Sequence, residues 1–258
     1  MIDTHCHLTY DGLAERVEEV LAAARAAGVG RVVSIGTSLA DSAAAIELAG
    51  HRREVSATVG LHPHHAEQMV DGEAFAQEMR SLARREGVVA LGEMGLDQHY
   101  DEPSLAVQRR AFEVQLGVAA ELGSLPIVIH NREATDETLA MVRASGISPE
   151  RFVFHCFTGT AEEIVKIVDF GAWVGFTGIV TFKSGRGVAA ASDLVPLERL
   201  LVETDSPYLT PEPYRKIRPN EPRYVVEVAR FLAERRGMGF EAFVGVVDGN
   251  AERFYGLG

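Results

Sequence analysis

His5 and His7 stand one residue apart near the start of the chain, in Asp3-Thr4-His5-Cys6-His7. In an extended strand, side chains two apart share a face, so both imidazoles can enter one cavity while Cys6 points away. Such a pair can hold a divalent metal ion. With nine histidines in 258 residues, one His-x-His step lies within reach of chance. Its weight therefore comes from four further candidates, Glu93, His130, His155 and Asp205, each at or just beyond the end of an apolar run. Imidazole and carboxylate together suit Mg, Mn, Zn or Ni, and six ligands exceed what one ion normally takes. A carboxylate has two oxygens and can bridge two ions about 3.5–4 Å apart, the spacing of two-metal hydrolytic sites. Glu93, near the centre of the set, is the expected bridge. A carbamylated lysine is the usual alternative, but the three lysines are Lys166, Lys183 and Lys216, and none stands near that place.

Ligands so far apart in sequence converge only if the fold gathers them. Short β-branched runs alternate with amphipathic stretches along the chain, which is the pattern of βα units and a parallel sheet. Strands are predicted at 1–5, 31–36, 55–61, 88–92, 126–130, 152–155, 172–176 and 200–203. Helices are predicted near 13–24, 38–49, 73–85, 105–122, 135–144, 161–170, 222–236 and 240–254. The stretch from Ser206 to Pro222 holds five prolines and reads as a loop. Eight strands in about 250 residues fit a single-domain (β/α)8 TIM-type barrel spanning 1–258, whose active site lies at the C-terminal ends of the strands. No glycine-rich phosphate loop follows the first strand, which removes the usual mark of dinucleotide binding. Barrel closure sets strand eight beside strand one, and so Asp205 beside His5 and His7.

The composition, 47% hydrophobic and 24% charged, is that of a soluble globular protein. No run approaches the ~18 apolar residues of a membrane span and no leader is evident, so a cytoplasmic location without membrane contact is expected. No stable protein partner is predicted. Cys6 and Cys156 each follow a histidine in an apolar run and read as buried thiols rather than a disulfide. A formal charge of −12 argues against broad electrostatic attachment to nucleic acid. It leaves room for a nucleic acid substrate, because bound divalent cations invert the local field.

Three further residues are expected at the substrate: His62, Arg132 and Glu203. His62 is read either as a phosphate contact or as support for a ligand, and Glu203 also as a residue that orients a ligand histidine. Arg132, Lys183, Arg186, Arg215, Lys216 and Arg218 form a candidate phosphate-binding rim. Phe157, Phe176, Phe182 and Tyr208 are candidates for stacking on bases. His64 and His65 are expected to meet solvent, with His51 and His99 peripheral.

The chain resembles the TatD family of metal-dependent hydrolases, within the wider amidohydrolase-like barrel group. The resemblance runs through Asp3-Thr4-His5-Cys6-His7-Leu8, Val59-Gly60-Leu61-His62-Pro63-His64, Gly92-Glu93-Met94-Gly95-Leu96-Asp97, Ile129-His130-Asn131-Arg132, His155-Cys156-Phe157-Thr158-Gly159 and Glu203-Thr204-Asp205-Ser206-Pro207-Tyr208-Leu209. It implies a two-metal hydrolase of phosphodiester bonds, a DNase or a 3′ to 5′ exonuclease, with nucleic acid and foremost DNA as substrate. It also implies that His5, His7, Glu93 and Asp205 hold one ion, and Glu93, His130 and His155 the other. Asp205 and Glu93 are then the catalytic carboxylates, with Asp205 as general base or as ligand only. Two departures stand out. Asn131 replaces a frequent serine, and the basic loop Tyr214 to Pro222 lacks a usual glycine, which bears on substrate contacts there. The same activated water suits an alternative, an ester or amide hydrolase such as a deacylase of misacylated tRNA. A barrel that has lost turnover is disfavoured, because six polar groups gathered in one cavity without a metal are costly.

Overall fold

In the computed structural model, which describes residues 1–257, each of the eight apolar runs is a strand. They are β1 Ile2–Cys6, β2 Arg31–Ser34, β3 Val55–Val59, β4 Val88–Asp97, β5 Ile127–Arg132, β6 Phe152–Phe154, β7 Trp173–Phe176 and β8 Leu200–Val202. Neighbours pair in parallel and in chain order. The ring closes through a parallel bridge between Cys6 and Ser206, with the His7 N–H donating to the Ser206 carbonyl (2.8 Å) and the Asp205 N–H to that of His5 (2.9 Å). Runs such as Phe-Val-Phe in β6 and Leu-Leu-Val in β8 are buried throughout, as strands covered on both faces must be.

Helices α1 Val17–Ala26, α2 Leu39–His51, α3 Gly72–Ala83, α4 Leu105–Leu122, α5 Thr135–Ala144, α6 Ala161–Phe170, α7 Arg186–Ser192, α8 Val225–Arg235 and α9 Phe240–Tyr255 surround the strands. Their ends follow local chemistry. Thr160 caps α6 by accepting from the Glu163 N–H while the Glu163 carboxylate accepts from the Thr160 N–H, and Gly171 ends the helix in the left-handed region. The short α7 was not among the predicted helices.

Ile2, Val33, Ile35, Ala90, Val128, Val153, Trp173 and Leu201 form one apolar cluster within the barrel, sealed below by Phe254, Tyr255 and Leu257. Strand alternation then decides what stands one layer higher. Two residues after Val128, Val153 and Leu201 come His130, His155 and Glu203. The strands that carry the remaining ligands are irregular, with register shifts between Asp3 and Cys6 in β1 and between Leu91 and Met94 in β4. Such irregularities re-aim side chains next to active sites.

β4 extends to Asp97, so Glu93 sits inside a strand rather than after one. Gly95 makes the extension possible: its φ is +147°, and a Cβ there would collide with the His130 carbonyl. β4 and β5 thereby run side by side as far as Asp97 and Arg132.

Candidate metal centre

The carboxylate of Glu93, 2% exposed, divides the site in two. Its Oε2 faces His5 Nε2 at 3.5 Å. Its Oε1 faces His130 Nδ1 at 2.8 Å, His155 Nε2 at 2.7 Å and His62 Nε2 at 3.5 Å. On the His5 side, His7 Nε2 lies 3.3 Å from His5 Nε2, and Asp205 Oδ1 lies 3.3 Å from His7 Nε2 and 3.5 Å from His5 Nε2. All six expected ligands therefore converge. The His5 and His155 rings stack at 3.8 Å between centroids, joining the two halves.

Asp205 reaches inward because its backbone is left-handed, at φ +54°, a conformation aspartate tolerates better than most residues. Asn220, fully buried in the proline-rich loop, holds this turn by donating to the carbonyls of Thr204 (3.1 Å) and Tyr208 (2.5 Å). Burial raises the proton affinity of the Asp205 carboxyl, but the His7 hydrogen bond and the charges of His5 and His155 more than reverse this and hold it below its ordinary range. Glu93 follows the same pattern and is held well below its ordinary range by the charge of His155 and the hydrogen bonds of His130 and His155, against the effect of burial. Both are anionic at neutral pH.

The donor set fits divalent cations. Ligand atoms of His5, His7 and Glu93 lie within 4.8 Å of one another, as do those of His62, Glu93 and His130. Imidazole lone pairs brought face to face in a buried pocket repel unless a proton or a metal ion lies between them. His62 has a more specific place. Its Nδ1 accepts from the His64 N–H at 3.1 Å, so the ring carries its proton on Nε2, the atom aimed at the centre. Burial keeps that ring neutral by lowering its pKa well below the usual value.

The other expected residues divide. Arg132 lines the open cleft of about 1550 Å³ above the centre, with its guanidinium 5.2 Å from the Tyr100 ring. Lys183, Arg186, Arg215, Lys216 and Arg218 do not line it. Arg215 lies over the Phe182 ring at 3.9 Å, and Arg218 donates to Thr210 and to nearby carbonyls. The expected basic rim therefore reduces to Arg132. Glu203, expected at the substrate, is instead buried beneath the ligands. It accepts from the Cys156 N–H at 2.6 Å, and its Oε1 lies 3.6 Å from His155 Nδ1. Phe157 and Phe176 are core residues, whereas Tyr208 is 53% exposed at the cleft. Cys6 is buried and turned away toward the Val33 carbonyl; Cys156 is partly buried and borders the cleft. Asn131 joins β5 to α5, donating to Thr135 Oγ1 and accepting from Thr138 Oγ1. His99 pairs with Glu133 at the exposed edge.

Sequence reasoning missed Asp97, Tyr10 and the true place of His64. His64 is not a free solvent residue: its Nε2 lies 3.0 Å from the Asp97 carboxylate. Tyr10 stacks on His7 at 4.5 Å and donates to Thr37, which donates to Asp41. For Asp97 a signal existed, since Glu93, Gly95 and Asp97 share one face if the strand continues. For Tyr10, in an irregular turn, there was none.

Known proteins resemble this chain along nearly its whole length. The profile of the family described as TatD related DNase matches residues 2–256. The metal-dependent hydrolase YcfH of Escherichia coli K12 is 37% identical over 258 residues, covering 99% of this chain and 95% of that protein. The 3′-5′ ssDNA/RNA exonuclease TatD of Pantoea ananatis is 38% identical over 263 residues, covering 100% of both. Among solved structures, the TatD homolog YJJV of Escherichia coli K12 superposes with a TM-score of 0.92 at 27% identity, covering 99% of this chain and 98% of that one. With relatives matched from end to end and side chains able to hold metal ions gathered at the mouth of one barrel, this chain belongs to the TatD related DNase family.

Proposed function

We propose that this protein is a two-metal nuclease that removes nucleotides from the 3′ end of single-stranded nucleic acid, foremost DNA. The observation that carries the reading is the divided Glu93 carboxylate, one oxygen toward His5 and the other toward His130 and His155, below an open cleft. His5, His7, Glu93 and Asp205 are the residues for one cation, and Glu93, His130 and His155 for the other. Divalent cations held there would supply Lewis acidity toward a phosphoryl oxygen and a water whose acidity is brought toward neutrality. Asp205, anionic and largely enclosed, accepts the proton that the attacking water gives up. His62 turns its Nε2–H toward the same space and donates to a phosphoryl oxygen. Arg132 offers the cleft's cationic contact for the adjacent phosphate, and the exposed Tyr208 ring a face for a terminal base.

The test uses a short single-stranded DNA labelled at its 5′ end or, separately, at its 3′ end, with Mg²⁺, Mn²⁺ or Zn²⁺ and with chelator. The expected result is stepwise shortening from the 3′ end that requires metal and disappears in Glu93→Gln. Shortening that survives both the chelator and this variant would remove the proposal. Cleavage of misacylated aminoacyl-tRNA without effect on DNA or RNA would replace it with the ester hydrolase.

A further inference from the structure

Asp97 closes β4 four residues beyond Glu93, is 1% exposed and belongs to neither set of ligands. Its Oδ2 faces His130 Nε2 at 2.9 Å and His64 Nε2 at 3.0 Å, while its Oδ1 accepts from the His99 N–H at 2.9 Å. The buried Gln108 of α4 clamps the backbone on both sides: Oε1 accepts from the Asp97 N–H at 2.8 Å, and Nε2 donates to the Asp97 carbonyl at 2.9 Å. The carboxylate is therefore held in place as well as buried.

An ionised carboxylate only accepts hydrogen bonds, so His130 carries a proton on Nε2 toward Asp97, which leaves Nδ1 as the nitrogen where a metal ion can take the place of a proton. That nitrogen lies 2.8 Å from Glu93 Oε1, inside the metal centre. His62 faces the same nitrogen. The His64 N–H donates to His62 Nδ1, which leaves the His62 proton on Nε2, and that atom points at His130 Nδ1 from 3.1 Å. His5, His7 and His155 instead turn Nε2 to the centre. One ring of four is thus reversed, and Asp97 lies against its back.

We propose that Asp97 is the positioning residue that commits His130 to the metal centre through Nδ1, and that it ties the turn carrying His62 and His64 to the same centre. The inference rests on the metal-binding part of the reading above and is independent of the bond cleaved. Partners that orient a ligand histidine in this way typically govern metal affinity by about 10–100-fold.

The test has two arms, both with zinc and without substrate. In the zinc-loaded protein with ¹⁵N-labelled histidine, His130 should carry its proton on Nε2, and His5, His7 and His155 theirs on Nδ1. In Asp97→Asn, competition with a fluorescent zinc chelator should show one of two zinc equivalents weakened by about 10–100-fold and the other unchanged. A His130 proton on Nδ1 in the wild type, or two zinc equivalents of unaltered affinity in Asp97→Asn, would overturn the proposal. If the variant does not fold, the wild-type spectrum decides alone. Asp97-dependent zinc binding without any nucleic acid trimming would sink the nuclease reading and leave this one standing.

Discussion

The two carboxylates proposed as catalytic, Glu93 and Asp205, are expected to fail differently when neutralised. Glu93→Gln keeps the shape but loses the charge that both histidine groups face, so zinc content measured by elemental analysis should fall for both ions together. Asp205→Asn removes one partner of His5 and His7 only. If Asp205 is the base, turnover at saturating metal should fall about 10²–10⁴-fold, the usual worth of a general base. Full metal occupancy with near-normal turnover would assign it a ligand role only. pH should act through the second group of ligands. Burial lowers the proton affinity of His130 and His155, but Asp97 and Glu93 more than reverse this for His130, and Glu93 and Glu203 for His155, so both rings hold protons above their ordinary pKa of 6.5. A raised folded-state pKa stabilises the metal-free protein at low pH, and that stability is lost as pH rises through the raised value. Metal must displace the same protons, so its affinity rises with pH. The gap in Tm between zinc-loaded and chelated protein should therefore widen from about pH 6 to about pH 8; a constant gap would contradict these assignments. The convergence of the six expected ligand residues was legible in the sequence because residue type and strand alternation are local properties. The retreat of Glu203 to the floor was not, because it depends on Gly175 of β7 leaving room: a Cβ there would lie 2.5 Å from the Glu203 carboxylate.

At the scale of elements, the barrel was readable because buried parallel strands are continuous apolar runs with helical periodicity between them. Two elements were not. α7, Arg-Gly-Val-Ala-Ala-Ala-Ser, is too short and too alanine-rich to show a periodic face, and it exists through the burial of Val188, Ala189 and Ala191. β4 outruns its apolar stretch because Gly92, Glu93 and Gly95 look like a loop, whereas here they let two strands approach closely and turn a ligand inward. This makes Gly95 a structural determinant of the centre. Gly95→Ala places a methyl group against the His130 carbonyl and forces a non-glycine residue to a φ of +147°. Strain and overpacking of this kind cost about 1–3 kcal/mol each. Denaturant unfolding should show a loss of about 2–5 kcal/mol, together with weaker zinc binding on the His130 side. A variant as stable as the wild type with intact metal affinity would mean that β4 and β5 need not approach so closely.

The molecule as a whole sets the terms on which a polyanion can reach the centre. Its formal charge is −12, and among the described residues the cleft walls carry Asp41, Asp101, Glu102, Glu133 and Glu163 against one cationic side chain, Arg132. No helix among the described residues is long and apolar enough to cross a membrane. A nuclease with a basic channel neutralises many phosphates, and one making 6–10 such contacts loses about 10³–10⁵ in affinity between 50 and 200 mM salt through counterion release. Here the attraction is confined to the bound cations and Arg132, while the walls repel phosphates further along the strand. Those two contributions have opposite salt dependence and so work against each other. The kcat/KM for trimming single-stranded DNA should therefore change by less than about threefold over the same salt range, at fixed divalent metal. It should also be nearly independent of length once the substrate exceeds a few nucleotides, because additional phosphates meet carboxylates rather than lysine or arginine. Steady-state rates on a tetranucleotide and a thirty-residue strand, each measured across the salt series, check both statements. A steep fall with salt, or a strong gain with length, would show that basic residues outside the cleft, Arg215, Lys216 and Arg218 first among them, bind the strand after all.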